Sequence, residues 1–343
     1  MNTMMTYIEQ QPAMFAELTS GKFDEAMLAA VEKVMPADKS KMQVVIVASG
    51  TSLNAARVAA SRMECPVECF YPYDFTVYHD LSKYDENTLF IFISQGGSSL
   101  STYNALQRVK GQYRTLALVG DLTKPIATEA DAAIEFGCGV ESVIYRTKGY
   151  TSSALMLCKV ADILNGKPGA TDYAKDVAAF GEFVAASKAF VEHHLAEMAP
   201  SSAWMVSGSG INNVTAVEGA LKLIETVRVP AMSFDLEEFI HGAQNSIVDT
   251  TRIVVVENFD DAEDKAYNLF RALRKIGKEA YLIGVKPRSE FNNYVLVRPE
   301  SAFDELMAVV PMQYMSYFVS QEKGVDLTKS GLPELSEHLA KSL

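Results

Sequence analysis

Short runs of β-branched and other apolar residues alternate along this chain with longer stretches whose apolar positions recur at helical spacing. Val44 to Val47, Leu89 to Ile93 and Leu116 to Val119 are apolar at every position. A strand half-exposed to water would alternate polar and apolar residues, so an unbroken run of this length predicts a strand covered on both faces. With helical stretches between them, these runs predict a parallel sheet flanked by helices on both sides. The pattern recurs in Trp204 to Val206, Ile253 to Val256 and Ala280 to Ile283, separated by helical patterns over Asn212 to Val227 and Asp261 to Lys275. The fold class predicted is therefore α/β, with two tandem doubly wound units.

The densest turn-forming cluster, Asn165-Gly166-Lys167-Pro168-Gly169, precedes a helical stretch from Tyr173 to His194 and marks the junction. The expected organisation is an amino-terminal helical segment over 1–34, a first unit over 35–172, a second over 173–328 and a tail over 329–343. A repeat is visible in the residues too. Ser49-Gly50-Thr51-Ser52-Leu53-Asn54 and Ser207-Gly208-Ser209-Gly210-Ile211-Asn212 each lie between a predicted strand and a predicted helix. Gene duplication explains both the pattern and the motif. The motif alone is weaker evidence, because Gly and Ser are common in such turns.

Composition changes the picture in three respects. With 343 residues, 48% of them hydrophobic, the chain can bury two ordinary cores. A formal net charge of −12 opposes a broad surface for nucleic acid or anionic lipid, which needs a surplus of Lys and Arg. A small anion can still bind, since a few backbone N–H groups at a helix start suffice. The four cysteines, Cys65, Cys69, Cys138 and Cys158, make no Cys-x-x-Cys pair and no disulfide framework. No histidine follows Cys65 and Cys69 until His79, so ordinary thiols are expected there, with no metal and no cofactor. Met1 to Gln11 shows no basic stretch leading into an apolar core, and no run approaches the roughly 20 apolar residues of a membrane span. A soluble cytoplasmic protein is expected.

In a doubly wound sheet, ligands bind beyond the carboxyl ends of the strands, where helix starts offer N–H groups to anions. Gly50-Thr51-Ser52 follows the first strand and Ser94-Gln95-Gly96-Gly97-Ser98-Ser99 follows the Leu89 to Ile93 strand. Glycine permits close approach, and the hydroxyls and the Gln95 amide can donate to phosphate oxygens. By composition alone these are equally plain capped turns. Neither nucleotide fingerprint is present. Gly50-Thr51-Ser52 lacks spaced glycines, Gly208-Ser209-Gly210 is followed by Asn213 where G-x-G-x-x-G needs its third glycine, and no G-x-x-x-x-G-K-[ST] occurs. A phosphosugar fits better than a dinucleotide or ATP.

At these residues the chain resembles the SIS (sugar isomerase) domain family, in particular the isomerase half of glucosamine-6-phosphate synthase. Ala48 to Asn54 is similar to the family's Ala-Cys-Gly-Thr-Ser-Tyr-Asn, with Ser49 for cysteine and Leu53 for tyrosine. Ser94 to Ser99 resembles its Ser-Gln-Ser-Gly-Glu-Thr phosphate loop. Ala216-Val217-Glu218-Gly219-Ala220-Leu221-Lys222-Leu223-Ile224-Glu225 is close to its Ala-Leu-Glu-Gly-Ala-Leu-Lys-Leu-Lys-Glu helix, and Glu238-Phe239-Ile240-His241-Gly242 to its Glu-Leu-Lys-His-Gly. Ile8-Glu9-Gln10-Gln11-Pro12 and Leu339-Ala340-Lys341-Ser342 resemble the family's first and last segments, so the likeness spans nearly the whole chain.

The resemblance implies roles. Glu225 is the base that moves a proton between C1 and C2 of an open-chain sugar, a task suited to a carboxylate whose pKa burial lifts towards neutrality. His241 opens the ring, reaching the site from a neighbouring subunit. Lys341 condenses with the ketose carbonyl or holds its oxygens. Gly50, Thr51, Ser52, Ser94, Gln95, Ser99 and Lys222 bind the substrate. Each has a plainer reading: Lys222 and Glu225 as a helix pair, His241 as a capping or buried histidine, Lys341 as a mobile surface charge. His79, His193, His194 and His338 match nothing functional.

The departures bear on specificity. Gly96 and Ser98 replace a hydroxyl and a carboxylate, Ala243 replaces the proline after His-Gly, and Glu237 replaces a glycine. Because the family's first segment begins within the first residues, no glutaminase domain and no glutamine-derived ammonia are expected. The expected activity is a deglycase or deaminase acting on an aminated hexose 6-phosphate, with plain aldose–ketose isomerisation as the nearest alternative. The expected partners are a small phosphosugar and a second copy of the chain. A phosphosugar-sensing regulator is the rival from another class, but the stretch before Val44 reads as a single helical segment, with no room for a helix-turn-helix unit.

Overall fold

The computed structural model describes residues 3–291 and 294–343. It contains two five-stranded sheets, parallel throughout and flanked by helices. The first holds β1 (Gln43–Val47), β2 (Val67–Phe70), β3 (Thr88–Ser94), β4 (Arg114–Val119) and β5 (Ala132–Glu135) in the order β2-β1-β3-β4-β5. The second holds β6 (Ala203–Gly208), β7 (Ala231–Phe234), β8 (Thr251–Val256), β9 (Ala280–Gly284) and β10 (Val295–Val297) in the order β10-β9-β8-β6-β7. Read from the opposite edge, the second order repeats the first strand for strand. The predicted tandem α/β architecture is therefore present.

The chain forms two compact units. One comprises Ala13–Ser142, Lys148–Ala174 and Leu332–Leu343; the other comprises the amino-terminal segment up to Pro12, Val143–Thr147 and Lys175–Gly331. Before β1 lie three helices, Met4–Glu9, Gln11–Thr19 and Asp24–Val34, where the sequence suggested one. Gly21, at φ +88°, turns the chain between the second and third. No described helix is long and apolar enough to cross a membrane.

The six strands read from the sequence are the inner strands of the two sheets. The four not read, β2, β5, β7 and β10, are their edges. Every residue of β3 and of β8 is buried, whereas every residue of β2 is only half-buried and β7 has no buried residue. An edge strand needs apolar cover on fewer sides, so its composition carries less signal. The predicted helix from Asp261 begins instead at Lys265, because Asp264 adopts φ +51°, outside the helical region. Its carboxylate is held there by Arg288 Nη2 at 2.8 Å and Lys286 Nζ at 3.1 Å, which pull its pKa down to about 2. The stretch from Tyr173 starts as a short 3-10 turn and continues as the helix Val177–Met198.

Helices close over both sheets. In the first unit Gly50–Ala60 lies against Lys148–Leu164, with Ala55, Ala56, Val58 and Ala59 fully buried. In the second, Ile211–Val227 runs between β6, β7 and the helix Val310–Glu322. Gly219 lets the two helices approach, since a Cβ there would lie 2.0 Å from Met312 Sδ. The buried hydroxyls of this contact are satisfied, Thr226 Oγ1 donating to the carbonyls of Lys222 (2.8 Å) and Ser316 (3.1 Å).

The carboxyl ends of β6 and β8 are tied together by side chains. Asn258 Nδ2 donates to the Ser209 carbonyl at 3.0 Å, and Asn212 Nδ2 to the Glu257 carbonyl at 3.4 Å. Arg298, fully buried, donates through Nη2 to the same Glu257 carbonyl at 2.6 Å and through Nε to Asp304 at 3.1 Å. Replacing Arg298 with Met removes the cation and leaves Asp304 and a buried carbonyl without it. Urea denaturation of R298M is expected to show a loss of about 3–5 kcal/mol, the usual cost of breaking a buried ion pair. A loss under 1 kcal/mol would show that these groups are satisfied by water.

Candidate functional site

In the first unit the chain leaves β1 towards β2 on one side, while β3 continues to β4 on the other, so the strand order reverses between β1 and β3. That is where a doubly wound sheet opens a crevice at its carboxyl edge. Thr51 and Ser52, both half-buried, lie in the first turn of the helix that starts at Gly50, whose φ of +53° turns the chain off β1. Beside them, β3 stays buried through Ser94. The Gly97 N–H donates to the Ser94 carbonyl at 2.9 Å, closing a tight turn. Gly97 sits at φ +65°, and a Cβ would fall 2.5 Å from Lys124 Cβ. Ser99 precedes the helix Leu100–Val109 and accepts from Thr102 Oγ1 at 3.1 Å. The two hydroxyl-rich loops therefore flank one crevice, at two helix starts.

Gln95 is held from three directions. Its backbone carbonyl accepts the Gly120 N–H at 3.1 Å, and a Cβ on Gly120 would lie 2.6 Å from that oxygen. Its side-chain Nε2 donates to Glu141 Oε2 at 3.0 Å and lies 3.9 Å from Cys138 Sγ. The same Glu141 oxygen accepts the Gly149 N–H at 3.1 Å. Glu141 is buried, and no sequence motif pointed to it. The available signal was one carboxylate in the otherwise uncharged stretch from Phe136 to Val143. The nitrogen that the sequence offered to phosphate is thus engaged by a carboxylate.

The carboxyl-terminal tail lies on the second loop. Leu100 N donates to the Lys341 carbonyl at 3.1 Å, Leu343 N donates to the Ser98 carbonyl at 3.0 Å, and Ser99 pairs antiparallel with Ser342. The tail's backbone thereby takes one of the free N–H groups at the Leu100–Val109 helix start, while the Lys341 side chain remains exposed.

In the second unit, Lys222 is buried within Ile211–Val227. Its Nζ lies 2.7 Å from Glu225 Oε2 and 3.6 Å from Oε1 of the fully buried Glu218. Glu225, its side chain 33% exposed, is pinned through Oε2, and its Oε1 has no hydrogen-bond partner among the described residues. The helical pair of the plainer reading is real, and it orients one carboxylate oxygen outward. His241 ends the short helix Leu236–His241 with its side chain 77% exposed, 3.6 Å from Glu237 Oε2. It is neither a buried histidine nor paired with Glu225 or Lys222. A cavity of about 520 Å³ lined by Met27, Leu28, Lys159, Asp162, Ile163 and Tyr173 contains none of the predicted site residues.

Residues 38–161 match the family model described as SIS domain. The glutamine–fructose-6-phosphate aminotransferase (isomerizing) of Methanothermobacter thermautotrophicus is 27% identical over 98% of this chain, which covers 56% of that protein. The chain thus spans little more than half the length of such relatives. Among solved structures, a protein provisionally assigned as a phosphosugar isomerase from Clostridium difficile 630 superposes with a TM-score of 0.86 at 23% identity, covering 100% of this chain and 99% of that one. A glucosamine-6-phosphate deaminase from Thermotoga maritima gives 0.77 at 19% identity, with 96% and 97% covered. These likenesses place both sheets in one known fold.

Gly120→Ala tests the packing that seats the second loop. The added methyl meets a backbone oxygen that cannot rotate away, so the loop after β3 must move. Thermal denaturation is expected to show a loss of about 1–3 kcal/mol, typical of overpacking. An unchanged midpoint would show that the loop has room.

Proposed function

From the premise that this chain carries an SIS domain over residues 38–161, we propose that it is a phosphosugar isomerase-type enzyme acting on an aminated hexose 6-phosphate, as a deglycase or deaminase. The observation that carries the reading is Glu225, a partly exposed carboxylate with one oxygen fixed by a buried lysine and the other free. Such a group suits repeated proton transfer at carbon, because its orientation is set before the substrate arrives.

Phosphate is held by Thr51, Ser52, Ser94 and Ser99 and by the N–H groups at their helix starts. Gly50 lets the backbone approach, and Lys222 serves the site by holding Glu225. His241 opens the sugar ring. Its exposure on its own unit supports a homodimer in which it completes the neighbour's site. In a 1-amino-1-deoxyketose 6-phosphate, Glu225 takes a proton from C1 and returns it to C2. The C1–N bond becomes an imine, and water then releases the amine and an aldose 6-phosphate. In a 2-amino-2-deoxyaldose 6-phosphate the proton moves from C2 to C1, and hydrolysis of the C2 imine releases ammonia and a ketose 6-phosphate. Lys341 holds the substrate oxygens or condenses with the carbonyl. The solved deaminase of like fold and the isomerizing aminotransferase of like sequence support this choice of substrate class.

The test is a thermal-shift screen of hexose phosphates, aminated and plain, followed by product analysis. Phosphorylated sugars are expected to bind far more tightly than their unphosphorylated counterparts. Glu225→Gln is expected to lower kcat by about 10²- to 10⁴-fold and to change phosphosugar affinity by less than about threefold, since the amide keeps the shape but accepts no proton from carbon. His241→Asn should impair cyclic substrates more than open-chain analogues. Turnover of plain hexose phosphates alone would select the aldose–ketose isomerase, and binding without any turnover would select a sensing module. Near-native turnover in E225Q would remove the base from the mechanism.

A further inference from the structure

Glu141 dictates which end of the Gln95 amide faces the crevice, and this deepens the proposed function on which it rests. An ionised carboxylate has no hydrogen to give, so a side-chain amide placed against it must present its nitrogen. Gln95 Nε2 does so, 3.0 Å from Glu141 Oε2, and that oxygen is fixed a second time by the Gly149 N–H at 3.1 Å. Space completes the arrangement. A Cβ on residue 149 would lie 2.3 Å from Gln95 Nε2 and 2.6 Å from both Cδ and Oε1, so the amide occupies the volume that glycine leaves empty. Turned this way, Gln95 leaves its Oε1 without a hydrogen bond to any described residue, on a side chain that is half-buried at the head of the loop after β3.

We infer that Glu141 is a positioning residue that makes Gln95 a hydrogen-bond acceptor, selecting a hydroxyl or ammonium group on the sugar rather than a phosphate oxygen. A phosphate oxygen is itself an acceptor and gains nothing from Oε1. A hydroxyl or ammonium carried near the phosphate end of the substrate does. The loop would then divide its work, with hydroxyls and backbone N–H groups holding the phosphate and Gln95 reading the carbon skeleton beside it.

Two probes separate the roles: glucitol 6-phosphate, which carries hydroxyls, and inorganic phosphate, which carries none of the sugar's. By calorimetry, Gln95→Ala is expected to weaken glucitol 6-phosphate about tenfold, the size of one lost hydrogen bond, and to leave inorganic phosphate within about twofold. Glu141→Ala and Gly149→Ala should give the same split, the first by releasing the amide and the second by expelling it. The Q95A/E141A double variant should be no weaker than Q95A alone, because both act through one side chain. Glu141→Gln keeps the shape but no longer forces one orientation, and should fall between wild type and E141A. Equal weakening of both probes by Q95A would make Gln95 a phosphate ligand and overturn the inference. So would native affinity for glucitol 6-phosphate in both E141A and E141Q. If the wild type binds neither probe, the functional reading fails, and the orientation is tested without ligand through the Gln95 side-chain amide protons in ¹⁵N spectra. Exchange protection in the wild type that is lost in E141A supports the hold on Gln95, and equal protection in both refutes it.

Discussion

Everything in the candidate site follows from how a parallel strand ends. Buried on both faces, such a strand can have its backbone satisfied only by its neighbours, so the chain must leave at the carboxyl edge and return over one face or the other. Where two adjacent strands send their chains to opposite faces, no helix covers the gap. In the first unit that gap lies between β1 and β3. The residues found there, Thr51, Ser52 and Ser94 to Ser99, are small and polar because their neighbours are helix starts with unpaired N–H groups. Glycines at 50, 97 and 120 are where the backbone turns or approaches most closely, and side chains there would occupy space already taken by backbone or by Lys124.

How much of this was legible depended on burial. The inner strands announced themselves because a strand covered on both faces admits no polar residue, and β3, from Thr88 to Ser94, is the clearest case. The edges stayed silent for the same reason: Val67-Glu68-Cys69-Phe70 has Glu68 free to reach Lys83 and Tyr84, so its pattern is that of a loop. Asp264 broke a helix that periodicity had extended through it, because its ion pairs with Arg288 and Lys286 come from residues more than twenty positions away. Local pattern carries no trace of such partners.

The site divides along the same line. The hydroxyl loops and the Lys222–Glu225 helix were visible as motifs because each is a continuous segment. Glu141 was not, because its meaning lies in Gln95, on another strand's end, and in the absent side chain of Gly149. The sequence offered Gln95 as a donor, which is correct for the residue type and incomplete for the residue. Its nitrogen is directed by a neighbour that no spacing rule connects to it.

The second sheet repeats the first strand for strand, yet its corresponding gap, between β6 and β8, has a different tenant. Asn258 reaches across to the Ser209 carbonyl, and Asn212 and Arg298 converge on the carbonyl of Glu257. An anion entering there would meet occupied donors and would have to displace several hydrogen bonds, each worth roughly 0.5–1.5 kcal/mol. Duplication gave the chain two crevices of one design, and the copies have since specialised. One kept polar groups turned outward, and the other turned its own amides inward as mortar. The stoichiometry encoded in the ancestral repeat has thereby been halved without the loss of a single strand.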